Sequence, residues 1–419
     1  MPNLRARIFL QLAWVLWLLP AGRPAIAQSA HGTTRLLVMP FENRSKVAGA
    51  EWISEACSEV LVQRMASPGV YVIGRDERVY AFDRAGVPVA VRPSRSTVFR
   101  ISEQMGADFV VFGSYEVNGS SFQAGAQLLE VKNLRLHPEL QVSGPLADFV
   151  SLQTALAWQL LGQMSSPPPV TQAQFVKAAP AIRLDAFENY VRGVVSTSRP
   201  QKIRYLKEAL RLNPGYSAAA FELGSVYYEG HDYEQAIAWL AKVPKQDPSA
   251  GEATFLLGMS EYYRGNLDRA YTAFSSLATR LPLTEVYNNL GVVDARRGRR
   301  AAALDYFSKA VAADPSDADY RFNLAVALFK NGDNAGAARQ LREELQLRPS
   351  DAEAKTLLET INRGVAAASV VAQPVGAPGS SAAAQPRMPI ERIKRNYDEA
   401  LYRQLEMEIN NLNQQRLPK

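Results

Sequence analysis

Few side chains in this sequence have the types and spacing that covalent or metal chemistry needs. The three histidines, His31, His137 and His231, stand far apart, and Cys57 is the single cysteine among 419 residues. The histidine-pair, dithiol, nucleophile-elbow and phosphate-loop motifs of enzymes are missing. Cys57 lies on the apolar side of a predicted helix, which is typical of a buried structural thiol. The sequence therefore predicts a protein that is not an enzyme and has no metal or cofactor.

The charge balance does not favour nucleic acid as a partner. The formal net charge is +6, but Arg5, Arg7 and Arg23 all lie in the first 27 residues, which contain no acid. About +3 remains for the rest of the chain, too little to indicate binding to an anionic polymer.

The amino terminus has the pattern of an export signal. Two arginines precede an apolar run at residues 8–19, and Ala25-Ile26-Ala27 follows Pro20. We expect a signal peptide over residues 1–27, cleaved after Ala27, and an exported protein of the periplasm or cell envelope. A membrane-spanning helix needs roughly 20 apolar residues. The run is shorter, so membrane association is expected to be only indirect.

A strict period organises the middle of the chain. Five prolines recur at intervals of 34, 34, 33 and 34 residues: Pro214, Pro248, Pro282, Pro315 and Pro349. Twelve residues before each of the last four stands an alanine, with a large apolar residue four positions later: Ala236/Leu240, Ala270/Phe274, Ala303/Phe307 and Ala337/Leu341. This pattern predicts stacked helix pairs, in which small residues permit close approach and large ones fill the gaps.

The pattern resembles the tetratricopeptide repeat, whose period and Leu-Gly, Ala-x3-Phe and Pro positions it matches. The resemblance implies an all-α superhelix over residues 183–363, with five repeats and an exit helix. The first copy departs from the pattern, because Lys202 stands where the alanine is expected and the turn between its helices is short. Such irregularity is typical of a capping repeat.

The concave face of such a superhelix is the candidate binding site. Counting from the closing prolines places aromatic, Met and polar side chains there: Phe221, Tyr228, Phe255, Met259, Tyr262, Asn289, Arg296, Asn323 and Phe329. In this family, asparagines at the positions of Asn289 and Asn323 commonly hydrogen-bond to the backbone of a bound peptide. A groove of rings and amides suits an extended or helical protein segment. The alternative is that several of these rings belong to the core between repeats.

The region before the repeats has a mixed pattern. Apolar strands at 35–41, 70–73 and 109–117 alternate with amphipathic helices, and Asn118-Gly119 predicts a hairpin. An α/β domain is predicted over residues 35–164. PFEN at 40–43, GADFVVFGS at 106–114 and AQLL at 126–129 are similar to the TolB amino-terminal domain family and its FlgO-like relatives. The resemblance implies an envelope or signalling module without catalytic residues, often joined to tetratricopeptide repeats.

Two linkers and a last helix complete the predicted organisation. The proline-rich residues 165–182 indicate a semi-rigid spacer, and residues 364–388, rich in Ala, Pro and Ser, indicate a disordered linker. An amphipathic helix is predicted at residues 389–413. Its apolar stripe consists of Ile393, Tyr397, Leu401, Leu405 and Ile409. This stripe needs a cover, which could be the repeats of the same chain, a second copy or another protein.

The predicted protein is therefore a multidomain, exported, non-enzymatic adaptor that binds protein segments in its groove, and its own C-terminal helix is one candidate for such a segment. Two alternatives stay open. The chain could be a structural accessory of an envelope transport or secretion assembly. It could also be a sensor that binds a small ligand at the strand ends of the α/β domain, near residues 40–45.

Overall fold

A computed structural model describes residues 34–45, 47–67, 69–88, 93–164, 168–179, 182–281, 283–364 and 390–398. The predicted signal peptide, nearly all of the predicted linker 364–388, and Leu401, Leu405 and Ile409 lie outside these residues. Within the described ranges, no helix combines the length and the apolar composition needed to cross a bilayer.

A mixed sheet forms the centre of the N-terminal part. Its strands are β1 Thr34–Val38, β2 Glu42–Asn43, β3 Val70–Ile73, β4 Phe109–Asn118, β5 Ser121–Glu130, β6 Arg135–Leu136 and β7 Leu140–Pro145. β1 pairs in parallel with both β3 and β4, and β2 also runs parallel to β4. β5 returns antiparallel to β4 and carries β6 and β7 on its other edge.

Helices cover both faces of this sheet. They are α1 Trp52–Met65, α2 Arg75–Arg84, α3 Arg95–Gln104 and α4 Phe149–Gln163. Leu36 and Val38 of β1 pack in one apolar cluster with α1 and α4, whereas Leu37 packs in another with α2 and α3. This alternation explains why β1 is apolar at successive positions. The predicted strand at 35–41 ends early, at Val38, because Pro40 has no N–H for the ladder.

The rest of the described chain is mainly helical. A short helix, α5 Gln172–Lys177, precedes the repeats. The following helices form five successive pairs and a last single helix: α6 Leu184–Val195, α7 Arg199–Leu212, α8 Ser217–Glu229, α9 Tyr233–Leu240, α10 Ala250–Tyr263, α11 Leu267–Arg280, α12 Thr284–Arg296, α13 Arg300–Ala313, α14 Ala318–Lys330, α15 Asn334–Leu347 and α16 Ala352–Asn362. A strand-containing N-terminal region and a helical solenoid are thus confirmed.

The repeated glycine and the repeated large residue meet between the two helices of a pair. A Cβ added to Gly258 would lie 2.8 Å from the ring of Phe274, and one added to Gly291 would lie 2.6 Å from Phe307. In the irregular first pair, Gly193 stands in the same relation to Leu206. The first copy therefore packs like the others, although its shorter turn and Lys202 disguise it in the sequence.

The prediction that residues 165–182 hold the two parts of the chain apart is wrong. The ring of Phe187 on α6 lies 6.5 Å from that of Trp52 on α1 and 6.0 Å from that of Phe149 on α4, by their centroids. Tyr190 also donates a hydrogen bond of 3.0 Å to Glu59. The segment between the two parts includes helix α5. The guanidinium group of Arg64, on α1, stacks on the ring of Phe175 in this helix. The sheet domain and the first repeat therefore share one apolar core.

The predicted helix at 389–413 is also wrong for its described part, residues 390–398, which contain no helical turn. Ile393 and Tyr397 do pack against apolar clusters of the solenoid, but from an extended segment. The reason is that the N–H and C=O groups of Arg392 and Lys394, which a helix would use internally, bond to asparagine side chains of the repeats. Tertiary pairing has overridden a four-residue periodicity.

Candidate functional site

The candidate site is the concave groove of the solenoid, in which residues 390–398 lie. The first helices of three successive pairs, α10, α12 and α14, contribute side chains that contact this segment, and the start of α16 contributes others. We call residues 390–398 the docked segment.

Asparagine side chains hold the backbone of the docked segment. Asn323 of α14 accepts from the N–H of Arg392 at 2.6 Å and donates to its C=O at 2.7 Å. Asn289 of α12 repeats this pairing with Lys394, at 2.8 and 2.9 Å. Asn288 adds a bond of 2.9 Å to the C=O of Arg392. The side-chain amides of Asn289 and Asn323 are fully buried, so they need hydrogen-bond partners. Each one pairs with the N–H and C=O of a single residue, as a neighbouring β-strand would.

Arg392 enters an acidic pocket at the C-terminal end of the groove. Its guanidinium makes a two-pronged pair with Asp351, with N–O distances of 2.8 and 3.0 Å. It also donates to Glu353 at 3.1 Å and to Asp319 at 3.3 Å. The guanidinium carbon lies 3.5 Å from the centre of the Phe322 ring. Planar, bidentate and stacked recognition of this kind is specific to arginine.

Lys394 lies beside the same acidic pocket but uses different oxygens. Its ammonium nitrogen is 2.7 Å from Asp317 and 2.8 Å from Asp319. It also lies 4.9 Å from the centre of the Tyr320 ring. Two carboxylates and one ring around a single ammonium group are a good match for lysine, which donates three hydrogen bonds as a point charge.

The acidic residues of the pocket differ in how burial and charge set their pKa values. Burial alone would raise the pKa of Asp319, but hydrogen bonds from Arg348 and Lys394 outweigh it and lower the pKa to about 2. Asp351 likewise has its pKa lowered to about 2, against burial, chiefly by Arg392. Burial raises the pKa of Glu344 to about 7, and the nearby charge of Asp351 adds to the rise. The pocket is therefore built for cationic side chains.

The remaining contacts of the docked segment are apolar or lie at its ends. The ring of Tyr397 lies 5.1 Å from that of Phe255, and Ile393 packs against the same apolar cluster as Tyr262. Glu391 is buried and paired with Lys330 at 2.5 Å. Arg395, in contrast, is exposed. The segment is thus held at both ends of its described length.

The structure brings together some of the predicted groove residues and separates others. Phe255, Tyr262, Asn289 and Asn323 contact or line the docked segment, and Met259 lies beneath Asn289, with 3.6 Å between its sulfur and the amide nitrogen. The other predicted residues are placed differently. Phe221 and Tyr228 are half-buried on α8, Arg296 is exposed with its guanidinium 5.7 Å from the Tyr262 ring, and Phe329 is core between α14, α15 and α16. The role of all nine toward a second protein stays a prediction.

Sequence reasoning missed the acidic pocket. Asp317 and Asp351 cap the N-termini of α14 and α16 by accepting from backbone N–H groups, so each has an ordinary structural explanation. A signal was nevertheless present, because Asp-Ala-Asp at 317–319 recurs as Asp-Ala-Glu at 351–353, one 34-residue period later. Capping alone requires only the first acid of each triplet.

A second concavity, of about 800 Å³, opens beyond the end of β1, beside β2 and the middle of β4, and is lined on another side by residues of α6 and α7. Its wall includes residues 39–44, where the sequence placed the alternative small-ligand site, and also Arg95, Phe112 and Tyr205. Arg78 lies at its base, buried and paired with Glu55 at 2.5 Å. The cavity thus combines apolar surface with several guanidinium groups.

The other candidate reactive residues lie in structural positions. Cys57 is fully buried, and burial raises the pKa of its thiol well above the usual value. His137 follows β6, and His231 lies in the turn between α8 and α9, with a φ of 60°. Among the described residues, no group of three or more His, Cys, Asp or Glu side chains is arranged to hold a metal ion.

Comparison with known proteins identifies the repeats. Residues 203–257 and 288–352 match family models that are each described as a tetratricopeptide repeat, which confirms that these repeats are present. The BBSome complex member BBS4 homolog of Drosophila melanogaster is 25% identical over 178 residues, which is 41% of this chain and 36% of that protein. The chain thus spans little more than a third of that relative's length.

The solved structures that match part of this chain include those of two other proteins. MamA (41-end) from Desulfovibrio magneticus RS-1 is 20% identical, covering 41% of this chain and 99% of its own, with a TM-score of 0.38. YrrB, described as a TPR protein with an unusual peptide-binding site, is 16% identical, covering 51% of this chain and 92% of its own, with a TM-score of 0.35. The repeats themselves, shown by the family models, support a protein-interaction scaffold.

Proposed function

We propose that this protein is a non-enzymatic adaptor whose tetratricopeptide groove binds extended protein segments. The observation that carries the proposal is the pairing of Asn289 and Asn323 with the backbone of the docked segment, through four hydrogen bonds of 2.6 to 2.9 Å. Backbone pairing requires an extended ligand and gives affinity that does not depend on side chains.

The proposed setting is the cell envelope, after export. This part rests on the pattern of residues 1–27 and on the resemblance of residues 35–164 to the TolB amino-terminal domain family. Fractionation of cells that produce the full chain should recover it without residues 1–27 in the periplasmic or envelope fraction. Recovery of the uncleaved chain in the cytoplasm would contradict the export proposal.

The adaptor function requires that a second protein enters the groove. A photo-cross-linking side chain at Tyr262, which faces the groove, is compared with one at Tyr80, which is 63% exposed on the outer surface of α2. Both are placed in the full chain with Arg392→Glu and Lys394→Glu, which should vacate the groove. We expect cross-links to other proteins from the first position only, and their loss when a synthetic peptide of residues 389–398 is added in excess. Cross-links whose yield does not fall when the peptide is added would overturn the proposal.

The cavity of the α/β domain favours a second candidate function, the sensing of a small molecule. It lies beyond the carboxyl end of the parallel strand β1, and open α/β sheets commonly bind ligands beyond the carboxyl ends of their strands. A ligand of the folded state must raise the melting temperature. A thermal-shift screen of the full chain with nucleotides, amino acids and sugars tests this function. Gln127→Trp, which fills the cavity, should abolish any rise.

A further inference from the structure

We propose that the groove selects segments of the form Arg-x-Lys, and that residues 390–398 occupy it as the chain's own competitor for such partners. The proposal rests on the proposed function and specifies its partner class. That class is a protein with an extended stretch in which arginine and lysine are separated by one residue.

The charges around the groove carry the selectivity. Arg392 and Lys394 are mostly buried in the docked state, with side chains 19% and 22% exposed. They lie among five carboxyl groups, those of Asp317, Asp319, Glu344, Asp351 and Glu353, and Arg348 is the cation that the repeats pair with Asp319 and Asp351. A segment without cations would desolvate these acids and leave them uncompensated, which is costly. Neutral and acidic segments are therefore excluded.

The spacing of the two cations follows from the period of the solenoid. In an extended chain, residues two apart project to the same side. The acidic triplets 317–319 and 351–353 lie one repeat apart, so each of the two basic side chains meets its own triplet and both share Asp319. The amides of Asn323 and Asn289 fix the backbone at the same two residues. The asparagine amides and the carboxylates therefore hold the bound segment in the same register.

The two basic positions are not equivalent. At the first, Arg392 stacks on Phe322 and forks onto Asp351. Lysine cannot reproduce either contact. At the second, the ammonium group of Lys394 fits between two carboxylate oxygens that are 2.7 and 2.8 Å away. The order arginine before lysine therefore defines the direction of the bound segment.

The docked segment belongs to the same chain as its groove, within easy reach of it. The exit helix α16 begins beside Arg392 and ends at Asn362, about 16 Å further on at 1.5 Å per residue. Residues 365–389 could span about 80 Å if fully extended. Tethering makes docking intramolecular, with an effective concentration on the order of millimolar for short linkers. A partner must outcompete the docked segment to bind.

The test uses the full chain and a fluorescein-labelled synthetic peptide of residues 389–398, with binding followed by anisotropy. The variant Arg392→Glu with Lys394→Glu should vacate its own groove and bind the peptide at least about tenfold more tightly than the unchanged chain. Arg395→Glu, which alters an exposed charge of the same segment, should bind like the unchanged chain. Circular dichroism checks that both variants are folded.

Different results would overturn different parts. Equal affinity of the unchanged chain and the double variant for the peptide would refute self-competition.

A peptide with glutamine in place of Arg392 and Lys394 should bind the double variant at least about tenfold more weakly than the original peptide does. Equal binding of the two peptides would refute charge selection while leaving the proposed function intact. If neither peptide bound the folded double variant, the proposed function itself would fail. A dimer that the double variant dissolves would show docking into a second copy and overturn docking within one chain.

Discussion

Replacing Asn289 and Asn323 by alanine should release the docked segment. Four hydrogen bonds to its backbone, of 2.6 to 2.9 Å, disappear, while Asn288 keeps its own bond to the C=O of Arg392. Each bond contributes about 0.5 to 1.5 kcal/mol net. Since water can hydrate the freed groups in part, we expect a loss of about 2 to 4 kcal/mol, which weakens docking about 30-fold to 1000-fold.

Limited trypsin digestion measures this loss directly. The bond after Arg392 is protected while the segment is docked, so its cleavage rate follows the undocked fraction. Cleavage after Arg387 provides an internal reference outside the docked segment. The ratio of the two rates should rise by the factor given above, up to the rate of an unprotected bond. Asn396→Ala, which changes an exposed amide of the segment, should leave the ratio as it is. An unchanged ratio in the double alanine variant would refute the role of the amides.

Three further predictions concern packing and charge. Gly291→Ala places a Cβ 2.6 Å from the Phe307 ring and should lower the free energy of unfolding by about 1 to 3 kcal/mol in urea denaturation. Phe187→Ala empties a fully buried site between the two parts of the chain and should cost about 3 to 5 kcal/mol in the same assay. Burial raises the pKa of Glu344 to about 7 in the docked state, and the charge of Arg392 opposes this rise. With α15 still packed in the solenoid, removal of Arg392 on undocking should raise this pKa further and take up a proton. Docking should therefore strengthen above pH 7, by at most about tenfold per pH unit, when measured by peptide binding at constant ionic strength.

Matched variants control these three measurements. Gly162→Ala, at an exposed helical glycine with free space around it, should be neutral or slightly stabilising, unlike Gly291→Ala. Phe187→Leu should recover part of the loss caused by alanine. Glu344→Gln should make docking independent of pH above 7. An equally steep pH profile in that variant would show that another group titrates.

The fold of the repeats was readable from the sequence because its signal is redundant. Each of four copies places the same small and large residues at the same spacing, so one irregular copy does not obscure the pattern. The junction was not readable. Trp52, Phe149 and Phe187 look like ordinary core residues of separate elements, and only the coordinates show that their rings meet. The proline-rich residues 165–182 led to the wrong prediction of a spacer. Composition indicates how stiff a segment is, but it does not show whether the parts on either side of it pack together.

The docked segment shows a different limit. Its apolar residues at 393 and 397 have the spacing of one face of a helix. In the structure both residues instead pack against apolar clusters of the repeats from an extended chain. The asparagines that hold the segment were predicted from the resemblance to the repeat family. The acidic triplets were not predicted, because Asp317 and Asp351 are already explained as helix N-caps. That explanation conceals their second role, which is to bind basic side chains. Periodicity of charged residues across repeats is therefore worth testing separately from the consensus.

One position of the repeat determines how the groove is divided. The position before the leucine of each Leu-Gly or Leu-Ala pair reads Glu222, Leu256, Asn289 and Asn323 in the second to fifth repeats. The two asparagines pair with residues 392 and 394, with the later repeat holding the earlier residue, so the docked segment runs antiparallel to the solenoid. Beyond Lys394 the amides end, and Tyr397 meets Phe255 instead. The groove thus has a polar half that binds the backbone and the cations of the docked segment, and an aromatic half that offers apolar contact area. A partner must therefore present its basic pair before its aromatic residues, and a segment with the reverse order cannot satisfy both halves.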